Sequence, residues 1–317
     1  MDIFIVLKQM CILLAMMMTG YITCKLGFVD RDAYSKLSKI VVTIFNPILI
    51  IDSVIGKSLS TTGLVFWENL ILVFFFYTLL FLAGFLLLLL LRPNAVDSPI
   101  YRLMMLLPNI GFMGIPIVAS LLGTDYIIYV AVYMLFYNVI LYTYGIFLCK
   151  KSAKAENKDS HAHTEPSQPW FKPIITNPGV IASVIALLIF FLKIPIPDEA
   201  ATFCDYMGNP AIPLSMYLIG CSVAFSDIRS ILKNTKVYGF LLFKMLLFPI
   251  ACTFLVHLLP FDDMIVKLFI IMTSMPAGSL VVLVAEEYAG NTTAATNGVV
   301  LSTLSSILSL PIISTFM

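Results

Sequence analysis

Charge is what this sequence lacks. Only 12% of its residues are Asp, Glu, Lys or Arg, while 60% are hydrophobic. A soluble domain carries about 25% charged residues, and so few could not cover one. Net charge is +1, so there is no basic face to neutralise nucleic-acid phosphates, and nucleic acid is excluded as a partner. Histidine is scarce, three in 317 residues, and none joins a convergent set of acids. The patterns H-E-x-x-H, G-x-S-x-G and the Gly-rich P-loop are missing. Without a catalytic constellation the chain does not read as an enzyme, and no cofactor is called for. The six cysteines (Cys11, Cys24, Cys149, Cys204, Cys221 and Cys252) are not at zinc spacing and lie in or beside apolar runs, where a thiol acts as a small apolar side chain. No metal site is expected; His161 and His163 are two ligands without others and read as solvated. No cleavable leader is expected either, since the opening residues carry Asp2 and no basic stretch and read as the first span.

What the chain has instead is long apolar blocks, each near the ~20 residues that cross a bilayer's hydrocarbon core. Runs bounded by charge, Gly or Pro predict ten spans: 3–24, 33–55, 65–91, 101–121, 125–149, 174–193, 199–224, 235–259, 264–286 and 292–315. All should be helices, because lipid offers backbone groups no other partners. The fold class is therefore an all-α polytopic membrane protein. Loops after odd-numbered spans hold fourteen Lys and Arg, and loops after even-numbered spans hold Lys57, Lys193 and Lys267. Positive charge stays in the cytoplasm, which puts both termini outside a cell membrane. The polar insert at 150–172 is then a cytoplasmic linker between two five-span units, 1–149 and 173–317.

The two units interrupt their helices at matching places. The second span carries Asn46-Pro47, and its counterpart, the seventh, carries Asn209-Pro210 and Pro213. The fourth carries "LLPNIGFMGIPIVAS", with Pro108, Asn109, Gly111, Gly114 and Pro116; the ninth carries "TSMPAGS", with Ser274, Pro276, Ala277 and Gly278. Five is odd, so the second unit enters from the other side and the repeat is inverted. Broken helices at matching points of inverted repeats point to a transport site near the midplane. Proline removes a donor and clashes with the carbonyl four residues back. The freed groups must find a side chain, water, an ion or a substrate. A half-helix starting after the break presents its positive end to an anion, and Asn109 adds an amide.

Ionisable residues inside spans are costly and usually functional. Lys244 stands mid-span in "GFLLFKMLLFPI", suited to balance a carboxylate or meet an anionic substrate. Asp205, just before Gly208-Asn209-Pro210, is a candidate proton or ion coupling site, with an interfacial role as the alternative. Asp52, Glu68, Glu286, Glu287 and His257 lie near span ends and read as interfacial or packed.

At these residues the sequence resembles the auxin efflux carrier family, the PIN-like carriers that include bacterial dicarboxylate permeases. Its N-x-G-F-x-G-x-P signature is matched by Asn109, Gly111, Phe112, Gly114 and Pro116, and "YNVILYTYGIFL", with Asn138, is similar to its fifth span. The resemblance implies a fold related to sodium–bile acid symporters, with helices 4 and 9 crossing at unwound centres. It implies a secondary carrier of small organic anions, carboxylates in kind, working by alternating access. The short central loop looks bacterial. The expected substrate set is Asn109, Gly111, Gly114, Pro116, Asn138, Lys244, Ser274, Pro276, Ala277 and Gly278, supported by Asn46, Pro47, Pro108, Asn209, Pro210 and Pro213. Expected partners are the bilayer, the anion, a coupling proton or sodium ion and a second copy in a homodimer. The competing readings are an anion channel and a sodium-coupled symporter of larger amphipathic anions.

Overall fold

Helix is the regular element throughout the residues described, which are 3–56, 63–156, 176, 178–225, 235–288 and 290–317 of the computed structural model. The helices are α1 (Ile3–Lys25), α2 (Arg31–Asp52), α3 (Gly63–Leu91), α4 (Asp97–Leu106), α5 (Ile110–Leu121), α6 (Ile127–Glu156) and α7 (Pro178–Leu192). They continue with α8 (Asp198–Gly208), α9 (Ala211–Phe225), α10 (Thr235–Val256), α11 (Asp263–Thr273), α12 (Leu280–Glu287) and α13 (Thr292–Ser314). Five of them, α2, α3, α6, α10 and α13, are long and apolar enough to cross a membrane. Three further runs are divided in two: α4 and α5, α8 and α9, α11 and α12.

Proline shapes several of these helices without ending them. In α2 the N–H of Asn46 reaches back five residues to the Val41 carbonyl, and Pro47 follows. In α5 Ile115 does the same to Ile110, and Pro116 follows. In α10 Phe248 bonds Phe243, and Pro249 follows. A single π turn before each proline absorbs the collision its ring would otherwise make with the preceding turn. Asn46-Pro47 therefore bends nothing apart: α2 runs through it. The prediction that Gly111, Gly114 and Pro116 unwind the fourth span is corrected in the same way, because all three are helical and the chain breaks upstream, at Leu107–Asn109.

Two further boundaries move. Helix α6 continues past residue 149 to Glu156, because its alternating Lys and Ala are good helix formers. Arg102 lies within α4 rather than in a loop, with its guanidinium 5.3 Å from the Tyr144 ring centre. The insert beyond Glu156, with His161 and His163, and the residues Lys57, Arg229 and Lys233 lie outside the described residues.

Packing follows a reciprocal pattern. Helices α1 and α9 touch backbone to backbone: a Cβ on Gly20 would stand 1.9 Å from the Tyr217 carbonyl oxygen, and one on Gly220 1.8 Å from that of Met17. Thr23 and Tyr217 hydroxyls meet at 2.7 Å across the same seam, and the Lys25 ammonium donates to the Ala224 carbonyl at 2.9 Å. Small residues let helices approach this closely in lipid. Helix α7 in turn packs on the second half of α2. Helices α3, α6 and α11 meet through Phe76, which lies edge-on to Tyr133 at 5.2 Å and to Phe269 at 6.1 Å. Outward faces are apolar: α3 exposes Trp67, Ile71, Phe74, Leu82, Phe85 and Leu89, a surface that lipid rather than water accommodates.

Candidate functional site

Pro108 has no N–H to offer the preceding turn, and here, unlike at Pro47, Pro116 and Pro249, the helix that starts at Asp97 ends before the proline. The last regular bond of α4 runs from the Leu107 N–H to the Leu103 carbonyl. The chain then extends for three residues and meets the second break, Ser274–Ser279, side by side. Pro108 and Ala277 pair as an antiparallel bridge. The Asn109 N–H donates to the Pro276 carbonyl at 2.7 Å, and the Gly278 N–H donates to the Leu107 carbonyl at 2.7 Å. Two broken helices thus satisfy each other with main-chain bonds, as a buried backbone must. Only glycine fits at 278: a Cβ there would lie 2.6 Å from the Tyr137 hydroxyl and 3.0 Å from the Leu107 carbonyl oxygen.

Each break has its own support. On the second, the Ala277 N–H donates to Ser302 Oγ of α13 at 3.1 Å, and that hydroxyl donates to Val299 O at 3.0 Å. Ser274 and Thr273 hydroxyls both turn back to the Ile270 carbonyl. On the first, the Asn109 carbonyl accepts from Gly114 at 3.1 Å and starts the π turn of α5. The Lys244 ammonium donates to the Met105 carbonyl near the end of α4 at 3.2 Å.

Three buried asparagines surround the first break, and each keeps one amide atom unpaired: Asn109 Nδ2, Asn46 Oδ1 and Asn138 Nδ2. Asn46 Oδ1 reaches α5, 3.8 Å from where a Cβ on Gly111 would stand. Asn138 shares a face of α6 with Met134, whose Cε packs against Gly111. Buried amides usually find partners; among the described residues Asn69 Oδ1, on α3, is a fourth buried amide atom without one.

Beside the crossing lies a cavity of ≈ 20 Å³, enough for a water molecule. One wall comes from α2 and α9 and offers the hydroxyl-bearing Tyr34, Ser38, Ser215 and Ser222; the other comes from Phe112, Ser279, Val282 and Val299. No charged side chain lines it. Small-molecule sites run to about 300–1,000 Å³, so the cavity as it stands holds no more than water.

The structure therefore brings together Pro108, Asn109, Ser274, Pro276, Ala277 and Gly278, with Gly111 and Gly114 in the adjoining turn and Asn46 and Asn138 on flanking helices. Gly114 faces Met272 of α11, and Pro116 continues α5. It does not bring in the seventh-span group. Asp205 is exposed and accepts from its neighbour Asn209 Nδ2 at 2.6 Å. Pro210 and Pro213 sit where α8 gives way to α9, whose join packs through Gly208 on the Leu49 backbone. Lys244 is wholly buried but does not line the cavity. Glu68 accepts the Asp262 N–H at 2.9 Å, an end-to-end tie between α3 and α11. Sequence reasoning missed the cavity hydroxyls, Tyr137 and Ser302. The one signal for the former was spacing, since Tyr34 and Ser38 are four apart and Ser215 and Ser222 seven apart, each pair on one helix face.

Residues 5–314 match the family described as membrane transport protein, the auxin efflux carriers. The chain belongs to that family. An uncharacterized transporter of Methanothermobacter thermautotrophicus is 23% identical to it over 306 residues, 94% of each chain. The crossing, its unpaired amides and the hydroxyl-lined cavity are thus the interior of a membrane transporter. Asn109 starts the π turn that adjoins the break, and Pro116 follows that turn in α5.

Proposed function

We propose that this transporter is a secondary carrier of small organic anions, carboxylates in the first place, and that it works by alternating access at the crossing. The observation that carries the reading is the buried Asn109 carboxamide, which has an unpaired donor where two broken helices meet. A carboxylate is an acceptor and completes such donors. Asn138 Nδ2 is a second donor of the same kind, and Asn46 Oδ1 is an acceptor that can take a hydrogen bond from a hydroxyl or an undissociated acid. The positive ends of α5 and α12 face the same region and favour negative charge.

The reciprocal packing supports ten spans in two inverted repeats. If spans one to five correspond to six to ten, the α1–α9 pair exchanges with the α7–α2 pair, and the two breaks exchange with each other. The narrow cavity supports alternation, because a site this closed admits substrate only when α2 and α9 move relative to the break. In this reading both termini face outside and 150–172 faces the cytoplasm, as the Lys and Arg asymmetry directs.

The test is counterflow in proteoliposomes with a panel of radiolabelled mono- and dicarboxylates. A carrier gives saturable uptake that rises when unlabelled substrate is loaded on the other side. Flux that stays linear in concentration and ignores the opposite side is the behaviour of a pore and would sink the carrier reading.

A further inference from the structure

A continuous helix would send the Asn109 N–H to the carbonyl of Met105, four residues back. Here that N–H goes to Pro276 instead, at 2.7 Å. The next candidate donor upstream, Pro108, has no N–H at all. The Met105 carbonyl is therefore orphaned by the crossing itself. It stands at the C-terminal end of α4, where a helix carries its partial negative charge. The group that takes it is the Lys244 ammonium, at 3.2 Å, from a side chain with no exposed surface.

Lys244 has no ion-pair partner among the described residues, where no carboxylate lies within salt-bridge distance of it. The cation's anionic counterpart is the end of a helix. Its place on α10 is also special: it sits inside the π turn Phe243–Leu247 that Pro249 imposes, which offsets it from the regular helical face. Lysines elsewhere cap helix ends from the surface, as Lys25 does at Ala224. Lys244 does so in the interior, where an isolated charge is costly.

In carriers with broken helices, half-helix C-terminal ends and freed carbonyls are where dissolved cations bind. We infer that Lys244 is a tethered cation occupying such a position. The end of α4 is a cation site filled by the protein itself, and it takes no dissolved ion while the lysine is present. Removing the side chain should uncover a site for a small monovalent cation, best filled by a primary alkylammonium of the lost side chain's length.

The experiment is chemical rescue of the purified full chain, read as melting temperature, so it does not depend on the substrate or on the carrier reading. Lys244→Ala removes the ammonium and leaves its channel; Lys244→Met fills the channel without charge. Each is melted in n-butylammonium, sodium or choline chloride at equal ionic strength. We expect n-butylammonium at tens of millimolar to raise the melting temperature of Lys244→Ala by at least about 3 °C over choline through mass action. Sodium should do so to a smaller extent, and neither cation should shift wild type or Lys244→Met. Equal responses of Lys244→Ala, Lys244→Met and wild type to n-butylammonium would overturn the inference. If Lys244→Ala cannot be purified in choline, recovery of monodisperse protein with n-butylammonium throughout purification supports the inference, and failure with it counts against it.

Discussion

The two breaks of the crossing are joined by the same pair of main-chain bonds yet are finished differently. The first is short, Leu107–Asn109, and its freed carbonyl at Met105 is taken by a buried ammonium. The second spans Ser274–Ser279, and its freed Ala277 N–H is taken by the Ser302 hydroxyl. A carbonyl at a helix's C-terminal end attracts a cation, whereas an N–H needs only a neutral acceptor. Inverted repetition can supply two similar breaks, but it cannot make them chemically equal, because each neighbour is its own residue. Among the described residues, three of the four buried asparagines with an unpaired amide atom, Asn109, Asn46 and Asn138, lie at the first break; the fourth is Asn69. On the function proposed above, recognition and charge belong to the first break and tight backbone geometry to the second.

The largest effect should come from Gly278→Ala. Its methyl would meet the Tyr137 hydroxyl and the Leu107 carbonyl that Gly278 itself bonds. Overpacking costs roughly 1–3 kcal/mol, and separating the crossing removes the bond as well. We expect a fall in melting temperature together with loss of transport. Adding Tyr137→Phe should recover part of the stability, since it removes the nearer obstacle and leaves the carbonyl. If Gly278→Ala melts and transports like wild type, the second break is not held tightly and the comparison fails at its base.

Asn109→Ala should separate function from stability. The unpaired Nδ2 contributes nothing to the resting fold, so its removal leaves the melting temperature within a degree or two. A hydrogen bond to a charged group contributes about 1.5–3 kcal/mol, so transport should drop on the order of 10- to 100-fold. Paired melting and counterflow measurements decide this. A large loss of stability with normal transport per folded molecule would make Asn109 a structural residue.

Ser302→Ala tests the neutral support of the second break. It deprives the buried Ala277 N–H of its acceptor, at a cost of about 1–3 kcal/mol. The loss should be the same in low and high salt and should not respond to n-butylammonium, in contrast to Lys244→Ala. Rescue of Ser302→Ala by the amine would erase the distinction between a charged and a neutral finish.

Asp205→Asn should do least. The carboxylate is exposed and its bond to Asn209 is local, so surface-level changes within about 0.5 kcal/mol are expected, with unaltered dependence of counterflow on pH. A flattened pH profile in this variant would return Asp205 to the coupling role that its sequence position suggested.

Much of this was legible in the sequence for a simple reason. Composition decides the solvent, and lipid leaves a chain little choice but helix, so sparse charge and repeated apolar runs were enough to announce a helical membrane protein. Proline and glycine act on the chain that bears them, so interruptions near Pro108 and at Pro276-Ala277-Gly278 could be anticipated from their own covalent chemistry. What the sequence could not say is which partner each freed group would find. Pro116 looked like a breaker and instead follows a π turn, because a helix can lend one residue to pass a proline. Pro108 does end its helix, because Pro276 and Gly278, some 170 residues away, offer main-chain partners on the spot. Lys244 was the sharper suspect on paper and Asp205 the one with an interfacial alternative; packing exposed Asp205 and buried Lys244 against Met105. Serines at 38, 215, 222 and 279 are unremarkable residues until helices from both halves set them around one cavity. Local covalent chemistry determined where the backbone would be released. Tertiary contacts between distant residues decided what would receive it.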